Sequence, residues 1–303
     1  MTDRHLVRWA AEEQPAAPTG PWAGAVGFGR WAVLDETVPA AAHTGFDVCE
    51  LAPGGTVPAC VASYEQCVFL LAGEAVLQTP DGATQLRPGD YGLVPVGVPH
   101  AWHNESGAPA RWAQMLAPQR RSRHGEDTIP VPPLPGTPAV PVDARDPRTR
   151  RYGHLEPANM DPARQSQDQL ALSASMRTAL LVYSGITVKM MVDSDLGAVL
   201  TTMFMVQYAP DGVAGPHDHP FEETYLFLEG QAEGSFDGTT YQLGPGDIAF
   251  AGVGCVHSFR NLGDGPLRWL ETQAPQPPAR HSYRFRRDWD YLTGVLAARE
   301  EQA

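Results

Sequence analysis

The stretch GPHDHPFEETYLFLEG, residues 215–230, sets two histidines one residue apart, places a pair of glutamates just after them, and continues as an apolar run that stops at Gly230. In an extended chain, side chains two positions apart share a face. A strand running through this stretch therefore points His217, His219 and Glu223 to one side with Tyr225 and Phe227, and Thr224, Leu226 and Leu228 to the other. Glu222 falls on the outward side and reads as a solvated or inter-strand charge. Three ligand-capable groups on an inner face are costly to bury unless something charged satisfies them. A divalent metal ion would do so.

The surrounding sequence shows that this stretch belongs to a repeat. GDYGLVPVGVPHAWHN (89–104) lies over GDIAFAGVGCVHSFRN (246–261), with Gly89 on Gly246, Gly97 on Gly254, His100 on His257 and Asn104 on Asn261. The same spacing of 157 positions carries FLLAG (69–73) onto LFLEG (226–230), Gly55 onto Gly212 and Trp112 onto Trp269. Each half reads as short strands separated by turn chemistry, with Pro-Gly-Asp breaks and PDG and FDG at hairpin positions. Evenly spaced short strands of this kind predict an all-β fold of two tandem barrels or jelly rolls. Between them, DTIPVPPLPGTPAVPVDARDPRTRRYGHLEPANMDP (127–162) is rich in proline and charge and reads as a linker or extended arm. The expected organisation is an N-terminal barrel over 1–120, a linker with some irregular or helical structure over 121–195, including QSQDQLALSASMRTALLVY (165–183), and a C-terminal barrel with its tail over 196–303. A short amphipathic helix is expected at the end of that tail.

A fourth ligand should come from a neighbouring strand, and His257, after a Gly-Val-Gly that permits a tight turn, is the candidate. Three imidazoles and a carboxylate suit Fe(II), Mn(II), Ni(II), Zn(II) or Co(II), and an octahedral ion would keep two positions for water, oxygen or a bidentate ligand. These residues resemble the two motifs of the cupins. His217, His219, Glu223 and Gly230 match the first, with Gly212 one residue closer than usual. Gly246, Gly254, His257 and Asn261 match the second, with Gly252 where proline is usual. The whole chain resembles a bicupin, which implies jelly-roll barrels with few short helices and one divalent metal ion per chain, Fe2+ favoured over Mn2+, Zn2+ or Ni2+. In the N-terminal half, the positions aligned with His217, His219, Glu223 and His257 are Cys60, Ala62, Gln66 and His100, so that barrel is expected to keep the fold without the metal.

Other candidates are weaker. Tyr225 and Glu271 are the expected catalytic helpers, Glu271 and Gln273 sharing a strand face with Trp269. Phe227 and Trp269 are core aromatics that could touch substrate, and Met203, Met205 and Gln207 alternate on the strand leading into the motif and could line the barrel mouth or merely fill it. The net charge of −13 argues against a nucleic-acid or anionic-membrane surface. Four cysteines without a CxxC pair fit reduced thiols in a cytoplasm, and no uninterrupted apolar run reaches the roughly 20 residues of a membrane span.

Fold likeness does not choose the reaction. Two-site decarboxylases keep metals in both halves, which Cys60 and Ala62 argue against. The plan is similar to that of quercetinase-like dioxygenases. It is also similar to ureidoglycine aminohydrolase, a manganese enzyme with one silent half, although that family lacks the HxH pattern seen here. The first expectation is an Fe(II)-type oxygenase acting on a small chelating metabolite with O2. The alternatives are a Mn(II) or Zn(II) Lewis-acid hydrolase, isomerase or cyclase, and a non-catalytic small-molecule-binding cupin. Association of bicupins through sheet edges implies a homodimer.

Overall fold

The computed structural model describes residues 3–164 and 183–276, with 284–285, 293–294, 297–298 and 301 beyond them. Most of the segment expected to be helical or irregular, and most of the tail expected to end in a helix, lie outside the described residues. Within them the chain is mostly β, in two curled sheets that repeat one another. Glu65–Ala72, Ala75–Thr79, Gly82–Leu86 and Ala110–Ala117 of the first have counterparts Glu222–Glu229, Ala232–Phe236, Thr239–Leu243 and Leu267–Ala274 in the second. Every one of these pairs keeps the spacing seen in the sequence.

Each half is a jelly roll built around one long strand. Gly45–Ala62 in the first and Thr202–Asp218 in the second pair antiparallel with strands on both sides. Alternation then divides side chains between two environments. On Thr202–Asp218, Phe204, Val206, Tyr208 and Ala214 point into the C-terminal barrel, where they meet Tyr225, Phe227, Phe236, Phe259 and Trp269. Met203 and Met205 point the other way, into a third apolar cluster between the barrels with Phe46, Val48, Met115, Phe250 and Leu270. Fully burying side chains of this size contributes roughly 1.5–3 kcal/mol each, so this cluster holds the two halves face to face. A separate cluster around Trp102 and Trp112 fills the N-terminal barrel.

Strand pairing crosses the expected boundaries in three places. The arm strand His5–Arg8 pairs with Ile248–Ala251 and so belongs to the C-terminal sheet. The proline-rich segment adds three short strands, Thr128–Pro130, Ala139–Pro141 and Tyr152–His154, to the N-terminal sheet, and Tyr152 and Met160 are buried. Tyr183–Val192 pairs along Thr202–Asp218 in the C-terminal sheet. The common reason is that an open sheet edge exposes unpaired backbone groups, which a passing extended segment satisfies.

The arm also accounts for Gly252 at the proline position of the second motif. Its N–H donates to Arg4 O at 2.7 Å, and a Cβ there would stand 2.9 Å from that oxygen and 3.0 Å from Ala40 O. Proline supplies neither the donor nor the space. Gly252→Pro is expected to cost about 2–4 kcal/mol and to raise amide exchange across His5–Arg8; unchanged exchange in the arm would mean Gly252 does not anchor it.

Candidate metal centre

The chain does not run through the histidine motif as a single strand. Thr202–Asp218 ends, His219 to Phe221 turn the corner, and Glu222–Glu229 begins a second strand. His217 lies directly opposite His257 across the sheet, with ring centroids 4.2 Å apart. The corner brings His219 over the pair, its ring 4.9 Å from that of His257. The three rings are buried, and their donor atoms lie within 4.8 Å of one another.

Each ring is oriented by the same device. Nδ1 of His217 donates to Gly215 O at 2.9 Å, Nδ1 of His219 to Phe221 O at 2.7 Å, and Nδ1 of His257 to Cys255 O at 3.0 Å. A carbonyl only accepts, so Nδ1 carries a proton in all three rings, and Nε2 is the nitrogen left to face a metal ion or, without one, to share a proton with Glu223. Backbone carbonyls are the usual outer partners of metal-bound histidines, fixing tautomer and aim. The donor set therefore fits a divalent ion by its own chemistry. Phe221, which neither motif singles out, stacks on His219 at 4.0 Å and 3°. An aromatic two residues after the second histidine was the available signal.

Glu223 joins this group from the second strand. Its Oε2 lies 2.7 Å from His219 Nε2 and 3.4 Å from His257 Nε2, and it accepts from the Tyr225 hydroxyl. Its Oε1 accepts from Gln273 Nε2 at 2.6 Å. Burial alone would lift the Glu223 carboxyl, but the charges and hydrogen bonds of His219 and His257 outweigh it and hold it well below the usual carboxylate range. Burial also works against the charged form of His219, and the neighbouring Glu223 reverses this and raises it. His217 is pushed well below its ordinary value by burial and then by His257, which leaves it neutral and available as a ligand. The carboxylate is thus an anion in an apolar interior, fixed on both oxygens. Gln273→Leu removes the contact that fixes Oε1, and metal affinity should fall about 10–100-fold, as for the loss of other outer partners; an unchanged affinity by calorimetry would show that Glu223 needs no such support.

Of the two expected catalytic residues, Tyr225 stands with the histidines, its hydroxyl 2.9 Å from His257 Nε2. Burial, and then the charge of Glu223, push that hydroxyl well above its usual range, so it keeps its proton. Glu271 is Tyr225's cross-strand neighbour, faces the same interior and accepts from Trp269 Nε1 at 2.9 Å. Burial and then the charge of Glu223 raise its carboxyl well above the usual range, so it too is a neutral acid. Phe227 and Trp269 pack together, 5.5 Å between ring centroids, in the barrel's aromatic filling.

Four expectations change. Met203 and Met205 belong to the core between the barrels, because odd and even residues of their strand face opposite sides, and they do not line the barrel mouth. Gln207 has the same parity; it accepts from the Arg268 guanidinium at 2.6 Å and donates to Met160 O at 3.1 Å, outside the barrel interior. Glu222 does point away from the histidines but meets no solvent. It is buried and accepts from the backbone N–H groups of Ala42, His43 and Thr44 of the other half. Parity gave its direction, and only the tertiary fold could show what stands there.

In the N-terminal barrel, the Gln66 amide lies 3.0 Å from His100 Nε2, and His100 Nδ1 meets Val98 O at 3.0 Å. An amide N–H thus occupies the lone pair that points at the metal position in the other half. Burial pushes His100 down and the Cys60 thiol up to about 11. Among the described residues, no metal-ligating group of three forms in that barrel.

Comparison with known proteins agrees with this architecture. Residues 47–116 and 204–272 each match the cupin domain family. A variant of Bacillus subtilis oxalate decarboxylase superposes with a TM-score of 0.62 at 14% identity, over 97% of this chain and 83% of that one. The Lactobacillus farciminis oxalate decarboxylase gives 0.60 at 17%, over 94% and 89%. A salicylate 1,2-dioxygenase from Pseudaminobacter salicylatoxidans gives 0.63 at 13%, over 89% and 84%. None of the curated proteins compared by sequence matches the chain. At such identities the superpositions speak for the fold alone, and with two cupin domains in tandem and a buried three-histidine group in the second of them, the chain is a bicupin.

Proposed function

We propose that the chain is a metal-dependent enzyme whose active site is the C-terminal barrel, and that it acts as an Fe(II)-type oxygenase on a small chelating metabolite. The observation that carries this reading is the convergence of three buried imidazoles, each with Nδ1 bound to a carbonyl and Nε2 turned inward. His217, His219 and His257 would hold the ion, with Glu223 as a fourth ligand or as the anion beside it. An iron held there by so few protein ligands would keep positions for O2 and for a bidentate substrate.

The remaining residues divide the work around that position. Three neutral imidazoles leave a divalent charge uncompensated, and Glu223 removes only one unit of it, so an anionic chelator such as a small carboxylate is favoured. Tyr225, within hydrogen-bond reach of both His257 and Glu223, can donate to an oxygen of the bound substrate. Glu271, the cross-strand neighbour of Tyr225, can hold a second proton in the same interior. Phe221, Phe236 and Phe259, around the histidines, keep the site apolar and exclude water. A superposable salicylate 1,2-dioxygenase is consistent with oxygen chemistry in this fold. One observation favours a second reading, Lewis-acid hydrolysis or isomerisation with Mn(II) or Zn(II): the buried neutral carboxyl of Glu271 is a general acid in waiting.

Two measurements separate these readings. Protein purified without added metal or chelator should carry about one iron per chain by elemental analysis, and a screen of small carboxylates should find oxygen consumption that stops without iron. Turnover supported equally by Mn(II) or Zn(II) in the absence of oxygen would replace the oxygenase with the Lewis-acid enzyme. No turnover of any candidate, with ligand-induced thermal shifts alone, would leave a binding protein.

A further inference from the structure

A second group of metal-capable side chains lies outside the three-histidine centre, and the N-terminal arm completes it. Pairing of His5 with Ala251 lays the His5 ring on Phe236, centroids 5.6 Å apart at 20°. Asp237 follows in the hairpin turn, at φ 49°. Its N–H donates to Val256 O at 2.8 Å and its Oδ1 accepts from Val256 N at 3.0 Å, which fixes the carboxylate against the loop that carries Cys255. Donor atoms of His5, Asp237 and the buried Cys255 all lie within 4.8 Å of one another.

Two details distinguish this group from an ordinary polar cluster. Tyr241 OH lies 2.9 Å from His5 Nε2, so that nitrogen is taken. His5 Nδ1 is buried and makes no hydrogen bond. A buried ring nitrogen without a partner is destabilising, and the ring that carries it stands beside a thiol and a carboxylate. Nitrogen, sulfur and oxygen donors that converge in this way are what a borderline-soft ion asks for.

We propose that His5, Asp237 and Cys255 form a second metal site, selective for a thiophilic divalent ion such as Zn(II), that fastens the N-terminal arm to the C-terminal barrel. The three ligands come from an arm strand, a hairpin turn and the loop before His257, elements far apart in sequence, so one ion would tie all three together. The Asp237 side chain is 22% exposed, which admits water as a fourth ligand. Arg4 decides the class of ion. Its Nε and Nη2 donate to Asp237 at 2.9 and 2.7 Å, and this positive charge disfavours hard cations held by the carboxylate alone. A thiophilic ion draws its affinity from sulfur and nitrogen instead. The site adjoins the three-histidine centre through the Cys255 carbonyl and the Phe236 ring, but its signature is separate, since that centre contains no sulfur.

That last point supplies the test. The full chain is titrated anaerobically with Co(II), and the near-ultraviolet thiolate-to-cobalt charge-transfer band is recorded. The band should appear in the wild-type protein and persist in His219→Ala, which disables the three-histidine centre. It should also persist in Cys60→Ser, which removes the thiol beside His100, and should vanish in Cys255→Ser and in His5→Gln. Should Cys255→Ser not fold, His5→Gln, on the arm, still decides the matter. No band in the wild type, or a band that survives the loss of His5, would overturn the proposal whatever becomes of the oxygenase reading.

Discussion

Replacing His219 by alanine is expected to strip the protein of its C-terminal-barrel metal and, with it, of the thermal stabilisation that metal confers, while His100→Ala leaves both untouched. The two residues sit in equivalent barrels and are held in similar ways, His219 by Phe221 O and His100 by Val98 O. What differs is the company of Nε2. In the C-terminal barrel the three Nε2 atoms share one position with a carboxylate beside them; in the N-terminal barrel an amide occupies the single Nε2. Loss of a direct ligand should therefore exceed the 10–100-fold that an outer partner costs. A metal present at about 100 times its dissociation constant stabilises the fold by roughly 2.7 kcal/mol, or roughly 4 °C in Tm for a chain of this size. Wild type and His100→Ala should show that rise on Fe(II) addition, and His219→Ala, whose Cys255 site selects a thiophilic ion, should not. Circular dichroism separates loss of metal from loss of fold, and a fully metal-loaded His219→Ala would remove this residue from the site.

Much of this site is legible in the amino-acid sequence, and the reason is periodicity. A fixed spacing between the halves carries the repeat, and the HxH pattern with a glutamate four residues on can be read without knowing that the chain turns a corner from His219 to Phe221. Alternation correctly turns Tyr225 and Glu271 inward. It also shows that Met203 and Met205 share a face, but not which face looks into the barrel, because a strand between two barrels has apolar surroundings on both sides. The arm strand His5–Arg8 carries no local mark of its destination. Its partner lies more than two hundred residues away, and the one trace it leaves in the sequence is a glycine where the motif usually has proline. The partners of Glu222 are hidden for the same reason: they are backbone groups, which have no sequence signature.

Those partners lead to the second large effect, because Glu222 has a twin. Glu222 of the C-terminal barrel accepts N–H groups from Ala42, His43 and Thr44 at 2.7–3.1 Å, and Glu65 of the N-terminal barrel accepts from Val199, Leu200 and Thr201 at 2.9–3.1 Å and from the Thr201 hydroxyl. Each barrel thus clasps the equivalent loop of the other through a buried carboxylate. In the N-terminal barrel the neighbouring ligand position has become Gln66 while Glu65 stays, so the clasp does not depend on the metal. Removing either carboxylate leaves several N–H groups without their charged acceptor, and Glu65→Ala or Glu222→Ala should each cost about 3–5 kcal/mol in urea unfolding. Both clasps and the apolar cluster of Met203, Met205 and Phe46 belong to one interface. Once one clasp is lost the other works on loosened barrels, so the double variant should fall short of the sum by more than about 1 kcal/mol. Strict additivity would make the two carboxylates independent loop caps. Metal affinity divides the pair differently: Glu222 adjoins Glu223 and Glu65 adjoins Gln66, so Glu222→Ala should weaken metal binding in the C-terminal barrel, and Glu65→Ala, equally damaging to stability, should leave it close to wild type.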